Sequence, residues 1–193
     1  SGASARTLNI PGEDELMGFG LSTCATCDGA FFRDEEMVVI GGGDAALEEA
    51  HYLTKFGSKV YLIHRREEFR GNDYLQKQVE DKVDNGDIEI LTNTEVVKIN
   101  GSKSDGVTSV DLVTNDEGHP TDKLDDEDTE HWNLDTSAVF YAIGHIPNTT
   151  YLKDTDVQLD DEGYIETNQS KIDATKTDVE GIFAAGDVVD HYY

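Results

Sequence analysis

A change of hydrophobic period across one glycine-rich turn most constrains the fold of this 193-residue chain. The apolar run 37–40 predicts a short strand that ends at Gly41-Gly42-Gly43. Apolar residues then recur at about helical spacing as far as Phe56, which is typical of an amphipathic helix. A second apolar run, 59–63, predicts another strand. Both strands are apolar on both faces, as a covered parallel sheet requires, so a βαβ unit is predicted over residues 36–64.

The rest of the chain continues this alternation and adds an antiparallel section. The predicted elements are a helix over 73–85 with Leu75, Val79 and Val83 on one face, strands over 88–91, 95–100, 107–114 and 138–143, a solvated acidic loop over 116–130, and a last strand and turn over 181–187. The fold class is therefore predicted to be α/β, with a Rossmann-like βαβ domain that carries an antiparallel β excursion.

The glycine-rich turn matches the dinucleotide pattern G-x-G-x-x-A at Gly41, Gly43 and Ala46. In this pattern the first glycine allows a tight turn, the second lets backbone N–H groups approach a pyrophosphate, and the small third residue lets helix and strand pack closely. The anion would then lie at the helix N-terminus. The alternative is a tight strand-to-helix turn without a ligand.

The end of the second strand indicates which nucleotide would bind. An NAD site places a carboxylate there for the ribose 2′-OH, whereas a 2′-phosphate needs cationic partners. This chain has His64 followed by Arg65, Arg66 and Arg70, in a sequence with only 15 lysines and arginines. NADPH is therefore the predicted ligand. The alternative is surface charge paired with the neighbouring glutamates 67 and 68.

The two cysteines of the chain form a C-x-x-C motif, Cys24 to Cys27, followed by Asp28. A redox disulfide is the favoured interpretation, in which one thiolate attacks, the other resolves the mixed disulfide, and the acid moves protons. A pair of free thiols, or a zinc site completed by two histidines, are the alternatives. No metal is predicted.

The formal net charge of −26 excludes a nucleic-acid partner, because duplex binding needs a basic face. Such acidity has two interpretations, disorder or a folded protein from a high-salt cytoplasm, and regular apolar periodicity favours the second. The longest apolar runs are too short for a transmembrane helix, and no apolar signal-peptide core is visible near the start. A cytoplasmic protein without membrane contact is expected.

Five motifs in order resemble the low-molecular-weight thioredoxin reductases. They are Cys-Ala-Thr-Cys-Asp-Gly (24–29), Val-Ile-Gly-Gly-Gly-Asp-Ala-Ala (39–46), His-Arg-Arg-Glu-Glu-Phe-Arg (64–70), Ala-Ile-Gly-His-Ile-Pro-Asn (142–148) and Phe-Ala-Ala-Gly-Asp-Val (183–188). In that family FAD passes electrons from NADPH to an active-site disulfide and then to thioredoxin, and the resemblance implies the same activity here.

The resemblance also implies a role for individual residues. Cys27 would face the flavin, Cys24 would attack the thioredoxin disulfide, and Asp28 would be the acid or base. Asp187 would contact the ribityl–pyrophosphate region of FAD. The residues implied at the NADPH site are Gly41, Gly43, Asp44, Ala46, His64, Arg65, Arg66, Arg70, Ile143 and Gly144.

One departure from the family is large, because the family has two dinucleotide folds and this sequence shows one fingerprint. The predicted organisation is a partial FAD-domain flank with the CxxC segment over 1–30, an NADP-binding domain over 31–145, and a second partial FAD-domain flank over 146–193. We expect FAD in the intact homodimeric enzyme, and no FAD or reductase activity in this fragment. The alternatives are the flavin subunit of a peroxide-reducing system and a non-catalytic NADP-binding module.

Overall fold

The computed structural model describes residues 1–168 and 173–190. In chain order the strands are β1 (Ala3–Ala5), β2 (Leu21–Ser22), β3 (Glu36–Ile40), β4 (Lys59–Ile63), β5 (Ile88–Leu91), β6 (Thr94–Ser102), β7 (Gly106–Thr114), β8 (Glu130–Asp135), β9 (Ala138–Tyr141) and β10 (His145–Pro147). The α-helices are α1 (Glu13–Leu16), α2 (Ala25–Asp28), α3 (Asp44–Leu53) and α4 (Asp73–Asp84).

The chain divides into two compact units. The larger unit is Thr7–Ile143, and the smaller unit joins Ser1–Arg6 to the described residues from 144 onward. Residues 7–30 belong to the same compact unit as residues 31–143, and the predicted functional boundaries at residues 30 and 145 stay predictions. The assignment of either flank to a flavin domain stays a prediction.

A parallel sheet in the order β2-β9-β3-β4-β5 forms the centre of the larger unit. Its central strands are buried along nearly their whole length, and Val38, Val39 and Leu62 are fully inaccessible to solvent. Burial on both faces explains why these strands are continuous apolar runs. The predicted α/β class and the βαβ unit are confirmed.

Two helices cover this sheet as predicted, with one difference. On α3 the residues at helical spacing, Ala46, Leu47, Ala50 and Leu53, are fully buried. On α4 the predicted apolar face is wrong at Val83, which is 37% exposed. Since four residues exceed one helical turn of about 3.6, successive i+4 positions rotate away from the core.

The antiparallel sheet β6-β7-β8 confirms the predicted β excursion and adds a strand. The predicted solvated loop 116–130 gives way at Glu130 to β8, which sequence analysis did not find. Only Trp132 and Leu134 alternate with polar residues in that strand, and both are half-buried. A half-covered edge strand leaves too weak a period-2 signal to be recognised.

The smaller unit contains the antiparallel pair β1–β10 and a small core that includes Val157, Ile165, Ala184 and Val188. The predicted strand over 181–187 is wrong, because only an isolated bridge from Lys176 to Phe183 forms there. Glycines with positive φ bracket the segment, 85° at residue 181 and 81° at residue 186, and they interrupt an extended backbone. Among the described residues no helix is long and apolar enough to cross a membrane.

Candidate functional site

The glycine-rich turn lies between the end of β3 and the start of α3. Gly41 has a φ of 154°, and a Cβ added there would collide with the carbonyl oxygen of Ala142 and lie 2.7 Å from the Cβ of Ala46. Gly41 and Ala46 therefore let β3, α3 and the segment after β9 approach closely, as the sequence pattern predicts.

Gly43 differs from Gly41 because it faces open space. A Cβ added at Gly43 would have no atom within 4 Å, and its φ of −97° is open to any residue. Gly43 also has no side chain to cap α3, so the first N–H groups of that helix keep an accessible side. This open side is where a phosphate group fits, because helix N-terminal N–H groups bind anions.

The segment that follows β4 packs directly on this turn. His64 is 5% exposed, and its ring occupies the space where a side chain at Gly42 would lie. The ring stacks on Phe69 at 5.3 Å, and Nε2 is 3.2 Å from the carbonyl oxygen of Glu68. Burial lowers the pKa of His64, the contact with the carbonyl of Glu68 opposes this shift, and the charges of the following arginines add to it. His64 thus supports the turn through its packing.

Arg65, Arg66 and Arg70 are exposed around this support. The backbone N–H of Arg70 donates a 2.7 Å hydrogen bond to the carbonyl oxygen of Gly42, which ties the arginine loop to the glycine turn. No ion pair found within residues 1–168 and 173–190 involves these arginines. The alternative of arginines paired with the glutamates 67 and 68 finds no support.

Asp44 has a structural partner beside the turn. Its Oδ1 accepts hydrogen bonds from the backbone N–H of Asn72 at 2.7 Å and from the side-chain amide of Asn72 at 3.1 Å. Asn72 in turn caps α4 through its Oδ1, which accepts from the N–H of Leu75 at 3.1 Å. The sequence did not single out Asn72, although Asn before a helical segment is a signal for an N-cap. Asp44 therefore joins the starts of α3 and α4.

The residues of this edge fit a phosphorylated nucleotide. Gly43 leaves room against backbone N–H groups, and three exposed arginines lie on the loop after β4, whose backbone is hydrogen-bonded to Gly42. Ile143 follows β9, whose Tyr141 pairs with Ile40 immediately before the turn. The carboxyl ends of parallel strands are where open α/β sheets bind ligands.

The other predicted nucleotide-site residues lie in the smaller unit. Gly144 has a φ of 91°, and its carbonyl oxygen accepts a 2.9 Å hydrogen bond from the N–H of Arg6. Asp187 is exposed, and a Cβ added at Gly2 would lie 4.0 Å from its Oδ2. Their predicted roles toward NADPH and FAD stay predictions.

The two cysteines form a disulfide at the start of α2, with their Cα atoms 5.3 Å apart. Cys24 is half-buried and Cys27 is exposed. The structure therefore contains a disulfide, and the alternative of two free thiols is wrong. Among the described residues no group of three or more His, Cys, Asp or Glu side chains could hold a metal ion.

Asp28 has a partner that the sequence did not indicate. The hydroxyl of Ser22 donates a 2.6 Å hydrogen bond to Oδ2 of Asp28 and accepts a 3.1 Å hydrogen bond from the N–H of Cys24. Ser22 thus connects the acid to the backbone of the first cysteine and orients the carboxylate beside the disulfide.

The segment that carries the disulfide packs against α3, the helix that begins at the glycine turn. A side chain at Gly29, just after α2, would collide with Leu53 at the end of α3, so these helices pack closely. Since a helix rises about 1.5 Å per residue, Leu53 lies roughly 14 Å along the axis from Asp44. Gly29 therefore packs at the end of α3 that lies opposite the glycine turn.

Comparison with known proteins agrees with this architecture. Residues 1–193 match the family model described as pyridine nucleotide-disulphide oxidoreductase. The chain is 46% identical to a thioredoxin reductase of Mycolicibacterium smegmatis over 193 residues, which is 100% of this chain and 55% of the relative. It is 45% identical to a thioredoxin reductase of Escherichia coli O157:H7, covering 100% of this chain and 56% of the relative.

Solved structures give the same result. A crystal structure of Lactococcus lactis thioredoxin reductase superposes with a TM-score of 0.79 at 34% identity, over 100% of this chain and 57% of that one. Thioredoxin reductase from Giardia duodenalis superposes with a TM-score of 0.78 at 38% identity, with the same coverage. The chain spans about half the length of the curated relatives it matches.

Proposed function

The chain belongs to the pyridine nucleotide-disulphide oxidoreductase family, and from that premise we propose that it carries the NADPH site and the dithiol of a thioredoxin-disulfide reductase. One observation supports this proposal most. The segment that carries the disulfide packs on α3, the helix that begins at the glycine turn, and exposed arginines lie on the loop that is hydrogen-bonded to that turn.

The nucleotide half of the proposal assigns binding to the turn. The N–H groups at the start of α3 would hold the pyrophosphate, and Arg65, Arg66 and Arg70 would hold the 2′-phosphate. A guanidinium group pairs with a phosphate through two parallel hydrogen bonds, which favours NADPH over NADH. His64, Asp44 and Asn72 would keep the arginine loop in place.

The dithiol half assigns thiol–disulfide exchange to the CxxC motif. Reduction of the disulfide takes up two electrons and a proton and leaves one thiol and one thiolate. The thiolate of Cys24 attacks the thioredoxin disulfide and displaces one of its sulfurs, and Cys27 then attacks Cys24 in the mixed disulfide. Thioredoxin leaves reduced, and the Cys24–Cys27 disulfide forms again. Asp28, held by Ser22, moves the proton between cysteine and partner.

FAD enters the proposal as the carrier that, when bound in the intact enzyme, passes the two electrons of NADPH to the disulfide. Asp187 is the residue of this chain assigned to it. Binding of FAD to this chain alone is not part of the proposal.

The partner is proposed to be thioredoxin or a similar small dithiol protein. Phe31, four residues after Cys27, is 79% exposed. An exposed aromatic ring beside the dithiol suits an apolar protein surface that must approach the sulfurs. Replacing Phe31 with alanine should therefore raise the KM for thioredoxin more than it lowers kcat.

Three further assignments complete the proposal. A cytoplasmic location suits a protein that reduces disulfides. A net charge of −26 suits a high-salt interior, where ions screen self-repulsion. A homodimer is proposed for the intact enzyme.

The test of the nucleotide half is a titration of the chain with NADPH and NADH. Replacing Arg65 and Arg66 with alanine should weaken NADPH binding by about 10-fold or more, since each charge-assisted hydrogen bond contributes about 1.5–3 kcal/mol. NADH binding should change little. A control that replaces Arg33 and Lys103 with alanine removes the same charge from other parts of the unit. Equal loss for both nucleotides would contradict the assignment.

The test of the dithiol half compares partners. Turnover of the intact enzyme with NADPH should be fast with thioredoxin and slow with a peroxidase partner. The reverse preference would favour the flavin subunit of a peroxide-reducing system. Nucleotide binding without turnover on either partner would favour a non-catalytic NADP-binding module.

A further inference from the structure

A carboxyl group behind the disulfide has no role in the reaction described above. Glu49 lies on α3, four residues before Leu53, so the two side chains share one helix face. Leu53 packs against Gly29 at the end of the dithiol segment. The backbone N–H of Ala25, which lies between the two cysteines and is fully buried, is close enough to the carboxyl group of Glu49 to favour its charged form.

The environment of Glu49 is unusual for a carboxylate. Its Oε2 is buried and has no hydrogen-bond partner. A buried carboxylate with an unpaired oxygen is costly, and a protonated carboxyl group is less so. Burial accordingly raises the pKa of Glu49 to about 7, although the N–H of Ala25 favours the charged form.

No neighbouring charged group accounts for the raised pKa of Glu49. The titratable groups on the elements packed against α3 include Asp28 and the cysteines on α2, Glu36 on β3, Lys59 and Tyr61 on β4, and Lys82 on α4. The charge of Lys82 lowers the pKa of His51 on the same helix, but Glu49 responds only to burial and to Ala25. Glu49 therefore lies nearest the CxxC segment through Ala25, and in the described part of the chain no charged group is paired with it.

We propose that Glu49 is a positioning residue of the dithiol, which lies against the backbone N–H between the two cysteines and takes up a proton when the Cys24–Cys27 disulfide is reduced. This inference rests on the proposed redox activity of the disulfide.

Reduction of the disulfide and protonation of Glu49 are coupled by repulsion between two negative charges. Two electrons and one proton convert the disulfide into a thiol and a thiolate. The new negative charge lies on Cys24, next to Ala25, or on Cys27, two residues after it, and this charge disfavours an ionised Glu49. Above the pKa of Glu49, reduction therefore draws a second proton onto this carboxyl group. Below that pKa the group is already neutral, and no extra proton is taken up.

The experiment measures the equilibrium of the disulfide with dithiothreitol in the 193-residue chain. Dithiothreitol supplies the electrons and closes to its cyclic disulfide, and alkylation with mass spectrometry counts the reduced chains. The variant is Glu49→Gln, which has the same shape and is always neutral. The control is Glu48→Gln, which changes an exposed neighbour on the same helix.

The natural chain and Glu49→Gln should have the same equilibrium constant at about pH 6, where Glu49 is protonated in both redox states. At about pH 8.5 the variant should be reduced about 3- to 10-fold more readily, and tenfold equals about 30 mV for a two-electron couple. Glu48→Gln should follow the natural chain at both values. An identical ratio for Glu49→Gln at the two pH values, or an equal effect of Glu48→Gln, would overturn the proposal.

A second measurement needs no variant. NMR titration of the side-chain carboxyl carbon of Glu49 should give a higher pKa in the reduced chain than in the oxidised chain, and equal values would overturn the proposal. Neither experiment uses NADPH, flavin or thioredoxin. A failed NADPH titration would therefore contradict the proposed function and leave this equilibrium intact.

Discussion

Two glycines of the same motif should respond in opposite ways to the same substitution. Gly41→Ala should destabilise the fold, whereas Gly43→Ala should leave the fold intact and weaken nucleotide binding. The structure provides the reason, because a Cβ at Gly41 meets Ala142 and Ala46 and a Cβ at Gly43 meets nothing within 4 Å.

The magnitude for Gly41 has two parts. Its φ of 154° is a conformation that residues with a side chain rarely adopt, and such backbone strain costs about 1–3 kcal/mol. Forcing a methyl group against the backbone of Ala142 adds about 1–3 kcal/mol of overpacking. The free energy of unfolding should therefore fall by about 2–6 kcal/mol.

Gly43→Ala should change the free energy of unfolding less than Gly41→Ala does, and its main effect should be on NADPH affinity. Its φ of −97° and ψ of −175° suit alanine, so the change in unfolding free energy should stay within about 1 kcal/mol. The new methyl group would occupy the space assigned to the pyrophosphate, and loss of one or two N–H contacts to a charged group costs about 2–5 kcal/mol. The affinity for NADPH should fall by about 30-fold or more.

Two assays are carried out on both variants. Urea unfolding is monitored by circular dichroism, and NADPH binding is measured by calorimetric titration. A Gly43→Ala chain that binds NADPH as well as the natural chain would refute the assignment of the pyrophosphate to this turn. A Gly41→Ala chain with unchanged stability would refute the packing argument.

Three more outcomes are expected. Reduction of the Cys24–Cys27 disulfide should change the thermal midpoint little, because so short a loop removes little chain entropy; a large drop on calorimetry would mean that the disulfide holds the fold together. The thermal midpoint should rise steeply from about 0.01 M to about 1 M KCl, as the Debye length falls from about 30 Å to about 3 Å and the net charge of −26 is screened; a flat midpoint would contradict the proposed high-salt origin. Glu49→Gln should gain stability over the natural chain as pH rises through about 7, because the pKa of Glu49 is raised in the folded state and ionisation then favours unfolding. A difference in unfolding free energy that stays constant from about pH 5 to about pH 8 would show that the pKa of Glu49 is not raised.

The sequence by itself determined the βαβ unit, because its buried strands must be apolar on both faces and its turn must contain Gly41. It also determined the C-x-x-C motif and the cluster of arginines, since these residue types and spacings are rare in an acidic chain with two cysteines. Local chemistry was enough for these features. It was not enough for β8, whose half-buried residues alternate too weakly to be recognised.

Only the tertiary structure decided which residues support the site. His64 belongs to the arginine motif in sequence, but its ring lies on Gly42 and is buried, so it supports the turn. Ser22 binds Asp28, and Asn72 binds Asp44 across 28 residues. Glu49 looks like its exposed neighbour Glu48 in the sequence, and only the packing around α3 makes it half-buried with a carboxyl oxygen that is fully buried. Burial and long-range hydrogen bonds depend on how distant segments meet, which no local pattern records.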